Sequence, residues 1–291
     1  MKLVAFVAPD GDERRLGVLD GDAIVDVTDA VGTDPLAIRG DARGPRLVRG
    51  TVRELAPIPR PGKIICVGLN YLDHCREQNV EPPSYPMLFS KFANAVANPG
   101  DPVTRPRATE KLDLECELAV VIGRRAKSIG PSEALEHVFG YTILNDVTMR
   151  DLQQEDRQWL RAKGSDGFAP IGPVLVTRDE IGDPQRLRIR SSVNGETWQD
   201  STTEEMVFDV ATIIAFASRT ITLEPGDIIA TGTPAGVGNY QVPPRYLAGG
   251  DVMRCEIEGI GVLENPVVDE LPRTEDHASA AGVGELLADR A

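Results

Sequence analysis

The sequence predicts a mainly β protein of the α+β class, and two observations carry that prediction. Short apolar runs of strand type, bounded by glycine, proline and aspartate, recur along the chain and clearly outnumber the helical patterns. The 291 residues are 41% hydrophobic and 26% charged, which suffices for a sizeable core and excludes global disorder. We find no internal repeat of about 20–50 residues, so we expect one large domain with a smaller appendage.

The N-terminal part of the chain has the pattern of a small β-meander. Residues 2–7 form an apolar strand-type run, and Asp-Gly pairs at 10–11 and 20–21 are hairpin turn signals between further short strands. The segment 57–62, with the sequence PIPRPG, predicts a stiff linker. We therefore expect a separate N-terminal β-rich module over residues 1–58.

The main body is expected over residues 63–268 and is again dominated by strands. Its strands are predicted at 63–69, 87–91, 112–123, 139–147, 173–177, 186–194 and 227–232 and as a pair within 251–267. Its helical segments are predicted at 70–77, 131–137, 148–160 and 208–219. The prolines at 82, 83 and 86 end the first of these helices, because proline cannot continue a helix.

Charge and cysteine content limit the class of partner and the compartment. With 31 basic and 45 acidic residues the formal net charge is −14, which disfavours nucleic acid and anionic membranes as partners. The apolar N-terminal run is too short for a signal peptide, and no run approaches the roughly 18 apolar residues of a spanning helix. The four cysteines form no C-x-x-C pair, as in a reducing compartment. We expect a cytoplasmic protein with an acidic, mobile tail over 269–291.

A run of alternating carboxylates is the most informative feature. Asp113, Glu115 and Glu117 share one face of a predicted strand, and Asp146 stands at the end of the next one. Neighbouring carboxylates repel each other when buried, and a hard divalent cation such as Mg²⁺ relieves that repulsion. Three carboxylates would leave about three positions of an octahedral ion for substrate and water. The same pattern also fits a solvated acidic face, with Asp146 in a turn or helix cap.

A loop rich in glycine follows the predicted strand at 227–232. Residues 226–238, with the sequence GDIIATGTPAGVG, can bring backbone N–H groups and threonine hydroxyls close to an anion. The loop lacks the Gly-Lys-Ser/Thr of a P-loop, so a substrate carboxylate and a plain tight turn both remain open.

His74 and Glu77 are neighbours on a predicted helix. Residues three apart on a helix can form a hydrogen bond, and a carboxylate that orients an imidazole makes a general base. The alternative is an ordinary solvated pair. Lys163 precedes another glycine-containing segment and fits either an anion-binding site or a surface lysine.

Together these features resemble the fumarylacetoacetate hydrolase family. The resemblance spans about 63–268 and is carried by CVGLNYLDH (66–74), LDLECELAVVIG (112–123), NDVTMRDLQ (145–153), GFAPIGP (167–173) and the long run FDVATIIAFASRTITLEPGDIIATGTPAGVG (208–238). One departure is Asn94, where the family pattern predicts serine; it puts one contact in the substrate pocket in doubt.

The resemblance implies a mixed β-sandwich roll with a small N-terminal module, as in bacterial members of similar length, and a homodimer as the common assembly. It implies Mg²⁺ or Mn²⁺ bound by Glu115, Glu117 and Asp146. It also implies that His74 and Glu77 lie on a lid that becomes ordered over the substrate.

The remaining site residues follow from the same resemblance. Lys163 is expected to be catalytic together with the His74–Glu77 pair. Tyr71, Arg150, Gln153 and Thr233 match substrate-binding positions, Thr233 at the carboxylate end.

The activity expected first is that of a metal-dependent hydrolase. It would cleave a C–C bond in a 2,4-dioxo acid of acylpyruvate type, a small-molecule substrate, and release pyruvate or a related 2-oxo acid and a carboxylic acid. Oxaloacetate decarboxylase, keto–enol or double-bond isomerase and ureidoglycolate lyase-like activities use the same enolate chemistry and stay open. The alternative from another class is an inactive ligand-binding protein with the same fold.

Overall fold

The computed structural model describes residues 1–40 and 43–272, which form mixed sheets with few helices. The strands are β1 Lys2–Val7, β2 Arg14–Asp20, β3 Ala23–Asp26, β4 Arg46–Val48, β5 Arg53–Leu55, β6 Ile64–Gly68, β7 Met87–Lys91, β8 Val96–Ala97, β9 Val103–Arg105, β10 Leu112–Asp113, β11 Cys116–Ile122, β12 Val138–Asn145, β13 Thr148–Met149, β14 Ala169–Thr177, β15 Arg188–Val193, β16 Glu196–Thr202, β17 Ile228–Ala230, β18 Val252–Ile257 and β19 Gly261–Asp269. The α-helices are α1 Thr28–Val31, α2 Leu72–Gln78, α3 Pro131–Ala134, α4 Arg150–Glu155, α5 Leu160–Lys163 and α6 Val210–Ser218. Single 3₁₀ turns cover Pro35–Ala37, Arg49–Thr51, Ala93–Ala95, Leu135–His137, Thr203–Glu205 and Gly238–Tyr240.

The large sheet runs through both predicted parts of the chain. Its strand order is β4-β3-β2-β1-β14-β12-β11-β17-β6-β7, with β5 beside β1 and β8 beside β14. The N-terminal strands join the body where β1 pairs antiparallel with β14, Leu3 opposite Leu175. The mixed, mainly β architecture is as predicted. The sheet is continuous across the predicted linker, whereas the division into modules at 58 stays a prediction.

A second sheet packs on the first and closes the core. Its order is β16-β15-β18-β19-β9. Apolar side chains of β11 and β12 from the large sheet share one buried cluster with those of β15 and β18; Leu118, Ile143, Ile189 and Met253 are members. Burial of such side chains stabilises the fold by about 1.5–3 kcal/mol each, so the two sheets form one packed unit around the strands that carry the candidate site.

Two predicted elements are interrupted, each for a local reason. The strand expected over 112–123 breaks between β10 and β11, because Asp113 Oδ1 and Asn145 Oδ1 accept the amides of Leu114 and Glu115 at 2.9 and 3.1 Å in place of strand bonds. The helix expected over 148–160 splits into α4 and α5, because Arg157 adopts a left-handed conformation with φ 56°.

The predicted C-terminal tail lies largely outside the described residues. Strand β19 continues to Asp269, where Arg105 Nε donates to Asp269 Oδ1 at 2.6 Å. Within residues 1–40 and 43–272, no helix is both long enough and apolar enough to cross a membrane.

Candidate active site

The three predicted metal ligands meet at one buried point. One carboxylate oxygen from each of Glu115, Glu117 and Asp146 lies within 4.8 Å of the others, and all three residues are buried. Their exposed fractions are 5%, 1% and 0%, which rules out the alternative of a solvated acidic face.

Strand register explains this convergence. β11 pairs antiparallel with β12, with Cys116 opposite Asn145, so the residues just outside this pair face one another. The Asp146 amide donates to the Glu115 carbonyl at 2.8 Å, which places Asp146 directly beside the E-x-E run. Residues about 30 apart in sequence thereby form one acidic cluster.

Two buried lysines partly balance the negative charge of this cluster. Lys163 Nζ donates to Glu115 Oε2 at 2.9 Å, Asp146 Oδ2 at 2.8 Å and the Thr148 hydroxyl at 2.7 Å. Lys163 is only 2% exposed, so the alternative of a surface lysine is wrong. Lys91 Nζ lies 2.7 Å from Asp146 Oδ1, although its hydrogen bonds go to the carbonyls of Val147, Lys163 and Phe168.

The residues fit a divalent cation. Asp146 Oδ1 is buried and accepts no hydrogen bond of good geometry, although the charge of Lys91 Nζ lies 2.7 Å away. Burial, together with Asp146 and Glu115, raises the pKa of Glu117 well above its usual range, and a cation bound here would favour the ionised carboxylate. Burial also opposes ionisation of Glu115, but Lys163 and Arg150 outweigh it and lower the pKa of Glu115 to about 2. Oxygen ligands of this kind suit Mg²⁺ or Mn²⁺.

Arg150 holds Glu115 from the other side. Its Nη2 lies 2.7 Å from Glu115 Oε1, its Nε donates to Asp113 Oδ2 at 2.9 Å, and its Nη1 donates to Gln153 at 3.1 Å. Asp113 is fully buried and also accepts the amides of Gly238 and Asn239 at 2.9 and 3.0 Å. Asp113 therefore serves to anchor Arg150 and the glycine-rich loop, outside the triad.

His74 and Glu77 form the predicted pair, and both are positioned by helix α2. His74 Nδ1 lies 2.5 Å from Glu77 Oε1, and Glu77 Oε2 accepts the Gly236 amide at 2.9 Å. An ionised carboxylate only accepts hydrogen bonds, so Nδ1 carries a proton and, in the neutral ring, Nε2 carries the lone pair. His74 is 6% exposed, which is not the environment of an ordinary solvated pair.

The glycine-rich loop donates backbone amides to carboxyl groups, but these groups belong to the chain itself. The Gly232 amide donates to Glu117 Oε2 at 2.8 Å. The amides of Gly236 and Gly238 likewise donate to the carboxylates of Glu77 and Asp113. The Thr233 hydroxyl donates to the Cys116 carbonyl at 3.0 Å and accepts from Gln199 at 2.7 Å. The loop thus connects the acidic triad, the His–Glu pair and Arg150.

One cavity of about 240 Å³ joins these groups. Seven predicted site residues line it: His74, Glu115, Glu117, Arg150, Gln153, Lys163 and Thr233. Glu77 and Asp146 lie behind them, each in contact with a lining residue. Tyr71 is fully buried at the start of α2 and does not line the cavity, and its contact with substrate stays a prediction. Asn94 lies outside the cavity too and donates to Gly164 and Asp166.

Sequence reasoning missed several residues of the cavity. Gln78 and Tyr240 meet above His74, with Gln78 Nε2 at 2.6 Å from His74 Nε2 and the Tyr240 hydroxyl donating to Gln78 Oε1 at 3.0 Å. Phe89 and Trp159 form an apolar wall, with ring centroids 5.1 Å apart. Gln78 follows His74 by one helical turn, a signal that was available; contacts to Tyr240 and between the rings depend on tertiary structure.

Comparisons with known proteins identify relatives over almost the whole chain. Oxaloacetate tautomerase fahd2, mitochondrial, from Xenopus laevis is 43% identical over 288 residues, covering 92% of this chain and 90% of that protein. The structure of a fumarylacetoacetate hydrolase from Exiguobacterium antarcticum is 44% identical, with a TM-score of 0.85, and covers 93% of this chain and 100% of the other. A 5-carboxymethyl-2-hydroxymuconate delta-isomerase structure from Mycobacterium smegmatis is 36% identical, with a TM-score of 0.80 over 93% and 100% of the chains.

These comparisons also bear on two earlier expectations. The word mitochondrial in the name of the frog protein lends no support to a cytoplasmic location, which stays a prediction. The mixed β architecture matches that of the solved relatives. The model of the fumarylacetoacetate (FAA) hydrolase C-terminal family matches residues 63–268, and the chain belongs to this family of enzymes.

Proposed function

We propose that this chain is a divalent-metal-dependent oxaloacetate tautomerase, which interconverts the enol and keto forms of oxaloacetate. The observation that carries the proposal is that a buried carboxylate triad and the His74–Glu77 pair face a single cavity. A shift of one proton needs only a site for an enolate oxygen and one base, and both are present. The names of the frog and mycobacterial relatives, a tautomerase and an isomerase, support the same class of reaction.

Glu115, Glu117 and Asp146 would hold Mg²⁺ or Mn²⁺. When bound there, the ion supplies a Lewis acid for the 2-oxo oxygen and the neighbouring carboxylate of the substrate. Lys163, held by Glu115 and Asp146, adds a fixed positive charge beside the same place. Arg150 keeps Glu115 oriented, and its partner Gln153 lines the cavity.

His74 carries the proton. In the enol-to-keto direction the C2 hydroxyl gives its proton to His74 Nε2 and a C2=O bond forms; the C2=C3 electron pair then takes that proton at C3 from the imidazolium. His74 Nε2 is suited to exchange that proton with C3, because Nδ1–H is fixed by Glu77 and the second oxygen of Glu77 is fixed by Gly236. The Glu77 carboxylate then faces the positive charge that the ring gains.

Acylpyruvate hydrolysis is the second candidate. The apolar wall of Phe89 and Trp159 would fit an acyl chain, and a His–Glu pair can also activate water. The two reactions can be distinguished by their products, because only hydrolysis consumes water and breaks the C3–C4 bond.

A substrate panel tests the proposal. The metal-loaded protein is given enol-oxaloacetate, keto-oxaloacetate and acetylpyruvate, and enol decay, CO₂ and pyruvate are measured separately. We expect enol decay well above the buffer rate and little CO₂ or pyruvate. Rapid pyruvate release from acetylpyruvate without accelerated enol decay would replace the proposal with the hydrolase.

A further inference from the structure

The side chain of Gln78 fills the space beside the base nitrogen of His74. The two residues are one helical turn apart on α2, and both line the cavity. Gln78 Nε2 lies 2.6 Å from His74 Nε2, within hydrogen-bonding distance. A water molecule that served His74 as a hydrolytic nucleophile would have to occupy this same position.

Hydrogen-bond polarity fixes the direction of this contact. Glu77 takes the proton of Nδ1, so Nε2 of the neutral ring accepts, and the Gln78 amide donates. The Tyr240 hydroxyl donates to the Gln78 carbonyl oxygen at 3.0 Å, and the Gly236 amide donates to Glu77 at 2.9 Å. A chain of hydrogen bonds thus runs from the Gly236 amide through Glu77, His74 and Gln78 to the Tyr240 hydroxyl, and it holds the Gln78 amide at Nε2.

We propose that Gln78 is a specificity-determining residue, whose side chain restricts His74 to proton shifts on the substrate by denying water a place at Nε2. This inference rests on the proposed tautomerase function. A tautomerase needs one substrate carbon at Nε2, which can take the place of the amide. A hydrolase needs a water and a carbonyl carbon together, and that water would have to take the position that the Gln78 amide holds 2.6 Å from Nε2.

The reaction that Gln78 suppresses can be written in full. Water adds its hydroxyl to C4 of an acylpyruvate, and its proton goes to His74 Nε2. The C3–C4 bond breaks, its electron pair forms the enolate, and C3 then takes the proton from the imidazolium. Overall, one acylpyruvate and one water give one carboxylic acid and one pyruvate.

Shortening Gln78 tests the proposal. Gln78→Ala and Gln78→Asn open a water-sized space at Nε2, whereas Gln78→Met keeps the side-chain volume and removes only the amide. The full chain is loaded with Mg²⁺, folding is checked by thermal melting, and the ratio of acetylpyruvate hydrolysis to enol-oxaloacetate conversion is measured. We expect this ratio to rise by about tenfold or more in the Ala and Asn variants, and to stay near the wild-type value in the Met variant.

The outcomes separate this inference from the function on which it rests. A wild-type protein that converts the enol, with an unchanged ratio in both shortened variants, overturns the role of Gln78 alone. An equal rise in the Met variant overturns it as well, since the amide rather than the volume would then matter. Loss of both activities in folded Ala and Asn variants would assign Gln78 to lid closure and overturn it too. A wild-type protein that does not accelerate enol conversion overturns the proposed function itself.

Discussion

Glu117 is a carboxyl group of the acidic triad whose ionisation the fold opposes. It is buried between Asp146 and Glu115, and burial with these neighbours holds its pKa well above the usual range. A raised carboxyl pKa contributes stability that is complete below the pKa of the unfolded chain and is lost as the pH rises towards the folded-state value. The metal-free protein is therefore expected to lose stability with rising pH, and metal binding to release a proton.

Substitution of Glu117 by glutamine should stabilise the chelated protein. Glu117→Gln removes the carboxyl group whose ionisation burial opposes, so the melting temperature at pH 8 in EDTA should shift upward, by about 2–4 °C for each kcal/mol gained. Glu115→Gln is the matched control with the opposite sign, because Lys163 and Arg150 lower the pKa of Glu115 to about 2 and would lose their partner. Neither variant should be stabilised by Mn²⁺. A lower melting temperature for Glu117→Gln in EDTA would contradict this assignment.

His74 is expected to matter for turnover and not for metal binding. His74→Ala should lower enol conversion by about 10²–10⁴-fold, the range of a positioned general base. Mn²⁺ affinity, measured by titration calorimetry, should stay close to wild type, because His74 is outside the acidic triad. A parallel loss of Mn²⁺ affinity and turnover would show that His74 acts through the metal site instead.

At the scale of elements, helix α2 is fastened to the body along its whole length. Ser201 donates to Asp73 at 2.6 Å, Arg76 pairs with Glu205 at 2.7 Å, and the bonds of Glu77 and Gln78 to the loop 236–240 complete the set. The structure thus shows α2 held against the body, with His74 and Gln78 lining the cavity; its role as a lid stays a prediction. Its predicted mobility without substrate stays a prediction.

Gly236 provides a test of the loop that holds this helix. Its φ is +103°, and an added Cβ would lie 2.1 Å from the Trp198 carbonyl oxygen. Gly236→Ala should displace the loop amide from Glu77 and reduce both stability and turnover. Gly195→Ala is the control, since Gly195 also has a positive φ of +83° but open space around it. Hydrogen exchange of α2 and steady-state kinetics should change in the first variant far more than in the second; equal effects would exclude the loop as the cause.

Comparison of the predicted and observed elements shows which features local sequence patterns could predict. Alternation along 112–123 correctly brought Glu115 and Glu117 together, but side-chain bonds from Asp113 and Asn145 interrupt that strand. Glycine content predicted an anion-binding loop, yet its amides donate to carboxyl groups of the chain itself. Contacts such as Lys91 with Asp146 join residues distant in sequence, and no local pattern specifies them.

At the scale of the whole molecule, the N-terminal strands complete the main sheet. Strand β14 is buried along its length and pairs with β1 on one side and β12 on the other. Deletion of residues 1–58 would uncover the apolar edge of β14 at Leu175 and Val176, and an unpaired apolar edge is a site for aggregation. We expect the truncated chain to be insoluble or to melt at much lower temperature. A soluble, active truncation with a cooperative melt would show instead that the N-terminal module is independent.

Fold class, the order of most elements and the acidic triad could be predicted from sequence, because each depends on periodicity, turn residues or short spacing. The assembly of the cavity could not, since Gln78, Tyr240 and Trp159 come from separate segments. The homodimer implied by the resemblance stays a prediction, which light scattering of the purified protein can test.

The decay of enol-oxaloacetate, followed by its ultraviolet absorbance, tests the central claim most directly. The full-length protein is stripped of metal with a chelator, assayed, and then titrated with Mg²⁺. The chelated protein should leave the buffer rate unchanged, and decay should accelerate as Mg²⁺ is added, with no acceleration in Glu115→Gln. Decay at the buffer rate with saturating Mg²⁺ and with saturating Mn²⁺ would contradict the tautomerase.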